Sequence, residues 1–424
     1  MVPFSAVAAA IGADVEWNAG DRSVICNTGD YWSIFLIGAS DFTTIRSGAD
    51  GWQQSPLDVP AQIVNGRTLL PVRALAESLH CSVAWDGAAN TVSIETDKSI
   101  GQSLQRGNKA VIHTRDELYQ YFIDNVSSLS PAFAAVVVDM NQADCIFQMF
   151  DNVNFYALGY TWTSSNCILG AHTYTQVYYS DFSYTHEARV AKAIRENKTA
   201  ALTGDDAKLY QRVQEIIQKQ TSPGMSDYAK ELAIHDYLGQ NVVYDLVSRD
   251  AYTALMTGKG NCQGFANSFK LILNTMGMEC DVVTGGVFAG SDPGQHAWNI
   301  VKLDGDYYMV DVTWDIAEFG YVVHSYFNVT DAFLSVTRTR DTDDQICVAT
   351  RYNYFVHNNL RVTSQADFEQ KFWTHIYDGN CVEFQGEGIR VGDLDLSVGY
   401  QYPDYLGYTI DDLANVIVFY RSHH

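Results

Sequence analysis

GKGNCQGFANSFKLILNTMG, residues 258–277, sets a single cysteine between a glycine-rich turn and an apolar helical pattern. Phe265, Phe269, Leu271, Ile272, Leu273 and Met276 recur at spacings that cover one broad face of a helix. Asn261 is a good N-cap and Gly277 a good stop signal. Cys262 therefore falls in the first turn, where unpaired N–H groups and the positive end of the helix dipole favour an anion. The thiolate is the nucleophilic form of cysteine, and such a position favours it. Gly258, Gly260 and Gly264 would let another backbone, or a substrate, approach closely. A small buried residue at a helix start would look the same, so the reading depends on partners.

Partners follow in the next forty residues. A strand at Cys280–Val283 and a Gly-rich loop lead to QHAWNIVKLDGDYYMVDVTWD (295–315). Asp304-Gly305 is the dipeptide of a two-residue type I′ hairpin turn. With that turn Leu303 faces Asp306, and by continuation Trp298 faces Asp311 and His296 faces Thr313. Alternation then puts His296, Trp298, Asp311, Thr313 and Asp315 on one face of the sheet. His296 is diagonal to both Asp311 and Asp315, a gap that side chains can close. A carboxylate there would hold the imidazole tautomer and leave the other ring nitrogen to deprotonate a thiol. Spacing leaves Asp311 and Asp315 as equal candidates.

These residues, with IHDYLGQNVVYD (234–245) upstream and YFNVTD (326–331) downstream, resemble the transglutaminase-like superfamily core over about residues 225–332. The resemblance implies a papain-like fold, with Cys262 as nucleophile, His296 as base and, between the two carboxylates, Asp311 as the orienting acid. The Cys262 N–H is a natural first oxyanion donor. Gln263, Trp298 and Asp315 are secondary candidates for substrate or oxyanion contacts, although Trp298 and Trp314 also suit core packing. His235 and Asp236 read as residues that brace helices.

The first hundred residues contain a repeat. VPFSAVAAAIGADVEWNAGDRSVIC from Val2 aligns without gaps on LPVRALAESLHCSVAWDGAANTVSI from Leu70. Each copy reads as proline at the first helical position, a short helix and two strands. The pattern resembles the copper amine oxidase N-terminal-like domain, a non-catalytic stalk module of Gram-positive surface proteins, over about residues 1–97. No copper site or quinone-forming motif accompanies it. A second repeat relates HTRDELYQYFIDNV (113–126) to TSQADFEQKFWTHI (363–376). Both are followed by alternating strands, YTQVYY (174–179) and NVIVFY (415–420). Between them, 186–241 is strongly helical. The expected organisation is an α+β multi-domain chain: a repeat domain at 1–97, a small α+β domain at 98–185, a papain-like core with a helical lead-in at 186–335, and a second small α+β domain at 336–422.

A formal net charge of −23 repels phosphate backbones, which argues against nucleic-acid binding. The longest apolar runs, such as AFAAVVV (132–138), are far shorter than a bilayer span. The eight cysteines show no zinc spacing, so neither a metal site nor a cofactor is expected. Cys145 and Cys167 are the pair best placed to bridge. The opening MVPFSAVAAAIG starts in mid-pattern, as a sequence stripped of a leader would, and the closing RSHH reads as an appended tail. Acidity and the stalk-type repeat together suggest a secreted or cell-surface protein. The expected chemistry is thiol-dependent acyl transfer on protein or peptide amides, with surface proteins or peptidoglycan stem peptides as targets. Peptide hydrolysis is favoured, and transglutaminase cross-linking and a non-catalytic adhesin with an idle triad are the alternatives.

Overall fold

The structure, a computed structural model, describes residues 2–11, 13–78, 81–95, 111–147, 153–288, 294–316, 321–341, 345–377, 381–401 and 405–421. The expected boundary at 97/98, residues 289–293 of the Gly-rich loop and the final Ser422–His424 lie outside the described residues. Arg421, placed in the tail by sequence, is instead the last residue of a strand, Val416–Arg421. The chain forms two compact units, Met1–Phe147 with Gly159–Ser183, and Gln148–Leu158 with Tyr184–His424. Helices and antiparallel sheets are mixed in both, which makes the protein α+β and multi-domain.

In the first unit both copies of the N-terminal repeat fold as helix plus hairpin. Helix α1 (Phe4–Ile11) precedes β1 (Asp14–Asn18) and β2 (Ser23–Asn27). The second copy has α2 (Val72–Ser78), then strands Ser82–Asp86 and Thr91–Glu95. The copies differ in surroundings. Strands β1 and β2 open a five-stranded antiparallel sheet continued by Tyr31–Leu36, Asp41–Arg46 and Gln53–Pro56, which the repeat pattern did not reveal. The second hairpin stays two-stranded and mostly exposed.

The two short sequences of the second repeat have the same local architecture. Arg115–Ser127 is capped by Thr114, which accepts from the Glu117 N–H, and Gln365–His375 is capped by Ser364, which accepts from the Asp367 N–H. Leu118, Phe122 and Val126 are buried, as are Phe368, Phe372 and Ile376. In each case the strand after the helix pairs with the last strand of a hairpin. Phe133–Val138 lies beside His172–Ser180, with Thr161–Leu169 outside it. Cys381–Gly386 lies beside Val416–Arg421, with Tyr405–Asp411 outside it.

From Tyr184 onward the second unit runs through three long helices, α3 (His186–Arg195), α4 (Gly204–Gln220) and α5 (Asp227–Asn241). Helix α6 (Ala251–Thr257) ends at Gly258 in the left-handed region, and α7 (Cys262–Thr275) follows. A three-stranded antiparallel sheet comes next: β3 (Cys280–Val287), β4 (Gly294–Leu303) and β5 (Asp306–Val310), with β4 in the middle. Phe265, Phe269 and Ile272 of α7 share one core with Leu238, Val301, Val310 and Phe327. Strand β3 runs to Val287 rather than stopping at Val283, and it takes Gly285 and Gly286 into the ladder. All eight cysteines are free thiols, so Cys145 and Cys167 do not bridge.

Candidate active site

Asn261 starts the site. Its side chain caps α7 by accepting from the Gly264 N–H at 3.1 Å, and its own N–H donates to the Ser248 carbonyl at 2.7 Å. Gly264 is required here, because a Cβ would stand 2.8 Å from that same carbonyl oxygen. The glycines thus accommodate the neighbouring chain. Cys262 occupies the first turn of α7, half-buried, and packs against Ala266, Val282 and Ala297. Helix and sheet are tied together by Asn299, whose Nδ2 donates to the Ala266 carbonyl at 2.9 Å.

His296 lies on β4 opposite Gly285 of β3 and is buried. Its Nε2 is 2.8 Å from Asp311 Oδ2. The hairpin turn is as the dipeptide dictates, with Asp304 and Gly305 both at positive φ and Leu303 paired with Asp306. The ladder, however, ends at Asn299 and Val310. The predicted pairs Trp298–Asp311 and His296–Thr313 do not form, because the chain leaves the sheet at Asp311. The Asp311 N–H is taken instead by the Tyr326 carbonyl at 3.1 Å. Released from the sheet, the Asp311 carboxylate still turns back to His296, and its Oδ1 accepts from the Trp314 N–H at 3.2 Å.

Arg338, which the sequence reading overlooked, completes the group. Its Nη1 donates to Asp311 Oδ2, and its guanidinium lies over the rings of Trp314 (4.1 Å), Tyr326 (5.1 Å) and Trp298 (5.4 Å). It arrives on the segment 337–341, which adds to the free edge of β3. The Thr339 N–H donates to the Gly286 carbonyl and the Asp341 N–H to the Thr284 carbonyl. A Cβ on Gly285 would lie 1.8 Å from the Thr339 carbonyl oxygen, so that edge can be covered only at glycine.

Electrostatics follow from these contacts. Burial would lower the His296 pKa, but the charge and hydrogen bond of Asp311, with a smaller attraction of the imidazolium to the Cys262 sulfur, raise it to about 9. Burial would raise Asp311, yet the charges of His296 and Arg338 hold it down at about 2. A buried imidazolium between a carboxylate and a thiol is the arrangement that supports nucleophilic sulfur chemistry.

The secondary candidates are placed differently. Trp298 is buried, stacked near the His296 ring at 5.9 Å, with its Nε1 unpartnered. Gln263 is buried beside the nucleophile position with its Nε2 unpartnered. Asp315 is turned away from His296. Its Oδ2 is 3.1 Å from His235 Nε2, and its Oδ1 accepts from the Tyr326 N–H. Asp311 and Asp315, equal by spacing, are thus separated by the chain's exit from the sheet. Arg338 could not be found by spacing, because it lies 27 residues beyond Asp311 in irregular chain.

Residues 214–312 match the Transglutaminase-like superfamily, and residues 1–94 match the Copper amine oxidase N-terminal domain. Kyphoscoliosis peptidase of Mus musculus is 30% identical over 118 residues, and that of Homo sapiens 29%. The match covers 24% of this chain and spans only 18% of each relative's length. Among solved structures, a TGase aligns over 44% of this chain and 52% of its own, at 15% identity and a TM-score of 0.23. A candidate cysteine protease from Cytophaga hutchinsonii aligns over 39% and 69%, at 16% identity and a TM-score of 0.24.

Proposed function

We propose, from the match of residues 214–312 to the Transglutaminase-like superfamily, that this protein is a thiol-dependent enzyme performing acyl transfer on amides, chiefly peptide hydrolysis. The single observation that carries the reading is the placement of Cys262 at the start of α7, packed on Ala297 beside His296, whose ring is bonded to Asp311. The Cys262 sulfur, its proton held on His296, attacks the amide carbonyl and forms a C–S bond. The tetrahedral oxyanion collapses, the C–N bond breaks and the imidazolium gives its proton to the leaving amine. Water then attacks the thioester while His296 takes its proton. The acid is released and the imidazolium returns its proton to sulfur. Asp311 holds the ring in place and stabilises the imidazolium throughout. The Cys262 N–H, at a helix N-terminus, suits the oxyanion, and the unpartnered Gln263 Nε2 is a second donor on the same turn.

The same thioester captured by a lysine amine would cross-link proteins. Incubating the protein and Cys262→Ala with a peptide library and a labelled amine separates these outcomes. Cleavage lost in the variant supports hydrolysis. Label transferred to glutamine supports cross-linking, and neither outcome in the wild type overturns the enzymatic reading in favour of a binding protein.

The net charge of −23 and the domain at 1–94 support a place outside the cell, with surface proteins or peptidoglycan stem peptides as substrates. No helix among the described residues is long and apolar enough to cross a membrane. Fractionating the native cells with an antibody to residues 1–94 tests this, and a cytosolic signal alone would refute it.

A further inference from the structure

A second cluster of titratable groups lies in the same unit, and the mechanism uses none of it. His235 and Asp236 come from α5, His324 from the chain after residue 321, Asp315 from the turn after β5, and Glu383 from the strand Cys381–Gly386. Asp236 Oδ1 is 3.0 Å from His235 Nδ1 and 2.9 Å from His324 Nε2. One ligand atom from each residue lies within 4.8 Å of the others. The opposite nitrogen of each ring also faces a carboxylate. His235 Nε2 is 3.1 Å from Asp315 Oδ2, and His324 Nδ1 is 2.8 Å from Glu383 Oε1.

This arrangement has a definite chemical meaning. A neutral imidazole that donates outward to its carboxylate presents a bare lone pair inward. Two such lone pairs would then converge on an anionic oxygen with nothing between them. The conflict is resolved by two further protons or by one cation. Metal-bound histidines characteristically donate the other ring N–H to a carboxylate, which fixes the tautomer. Here both rings have that partner. Two imidazole nitrogens and one carboxylate oxygen also match a three-ligand site with an open fourth position. The Asp236 side chain is 34% exposed while both imidazoles are buried, so the opening lies on the carboxylate side. The His324 ring is held by stacking on Tyr354, with centroids 3.9 Å apart.

We propose that His235 Nδ1, His324 Nε2 and the Asp236 carboxylate form a binding site for a divalent d-block cation such as Zn2+. Asp315 and Glu383 serve as outer partners of the two rings. Binding exchanges one Zn2+ for the two inward protons, so the cluster's net charge is unchanged and two protons leave per ion. Ligand nitrogens must be free of protons to bind a metal, so affinity should rise with pH. Glu231, one turn before His235 on α5, is buried and accepts from Asn328 Nδ2 at 2.9 Å, away from the three ligand atoms. The site ties α5 to the chain at 324, so an ion there acts as a clamp and needs no part in the acyl transfer.

The test uses the full chain carrying Cys262→Ala, which removes the reactive thiol as a competing ligand. After stripping with a chelator, titration calorimetry with Zn2+ should give one high-affinity site, with heats that change with the buffer's ionisation enthalpy because protons are released. Co2+ should give the visible absorption of a four- or five-coordinate ion. Asp236→Asn keeps size and partial exposure and should weaken Zn2+ binding at least ~10-fold. That variant retains the terminal His423 and His424, which separates binding there from binding at the cluster. In wild type labelled with 15N-histidine, Zn2+ should shift His235 Nδ1 and His324 Nε2, a readout independent of any variant. Unshifted ring nitrogens, or equal affinity in Asp236→Asn, would overturn the proposal and leave the cluster as a proton-filled ion-pair network.

Discussion

Arg338 and His296 meet on one oxygen: both point nitrogen at Asp311 Oδ2, the arginine by Nη1 and the imidazole by Nε2 at 2.8 Å. All three side chains are buried. The carboxylate therefore answers two cations, and Arg338→Leu would leave it with one. We expect a stability loss of about 1.5–3 kcal/mol in urea denaturation, the usual worth of a hydrogen bond to a charged group. Removing a neighbouring cation should also move the alkaline limb of kcat/KM upward in pH. Arg338→Lys should recover part of both, but not the planar contact with Trp314. Wild-type stability and an unmoved limb in Arg338→Leu would show that the arginine is inert.

The His296 value of about 9 sets a pH dependence. It lies above the ordinary 6.5, so the ring's contribution to stability is complete below about pH 6.5 and is lost as pH rises through 9. Asp311 runs the other way. Depressed from 3.8 to about 2, it contributes above pH 3.8 and loses that contribution as pH falls through 2. Activity that needs the imidazolium should decline with a midpoint near pH 9. In Asp311→Asn, which removes the largest contribution that raises the ring, that midpoint should move down by a unit or more. A limb unchanged in the variant would detach Asp311 from His296.

Alkylation should single out one cysteine. Burial raises the other seven, Cys26, Cys81, Cys145, Cys167, Cys280, Cys347 and Cys381, above the ordinary thiol value. Cys262 is half-buried, at a helix start, and packed against Ala297, the chain neighbour of His296. Brief iodoacetamide treatment at neutral pH followed by peptide mapping should label Cys262 well ahead of the rest. The preference should vanish in His296→Ala. Uniform slow labelling would remove the main physical reason for catalysis.

Gly285→Ala tests the edge strand. The new Cβ would overlap the Thr339 carbonyl, and a backbone group cannot swing aside as a side chain can. We expect ~1–3 kcal/mol of destabilisation. Because the same segment delivers Arg338, activity should fall as well. Gly286→Ala meets only the Thr339 hydroxyl oxygen at 3.4 Å and should be mild by comparison.

Much of the core was legible because its signals are local. The α7 helix, its cap and the Asp304-Gly305 turn each rest on neighbouring residues, and the turn brings His296 and Asp311 within reach of each other. The register beyond Val310 was not legible, since alternation carries no mark of where a strand stops competing with another hydrogen-bond partner, here the Tyr326 carbonyl. Distant contributors were invisible for a related reason. Arg338 and Glu383 reach their partners from 27 and 59 residues away, and no periodicity connects them. His235 and Asp236 read as helix bracing, and the residues they meet, Asp315 and His324, could not be identified because they lie far along the chain.

The dependence of Asp311 and His235 on later residues limits how this chain can be cut. A fragment ending at residue 312, the end of the superfamily match, would keep both side chains but lose Asp315, His324 and Arg338. It would also leave the outer edge of β3 uncovered and free to pair with a second copy. The smallest transplantable unit is therefore set by charge pairing. It has to continue through the strand that carries Glu383, well past the point where family likeness fades.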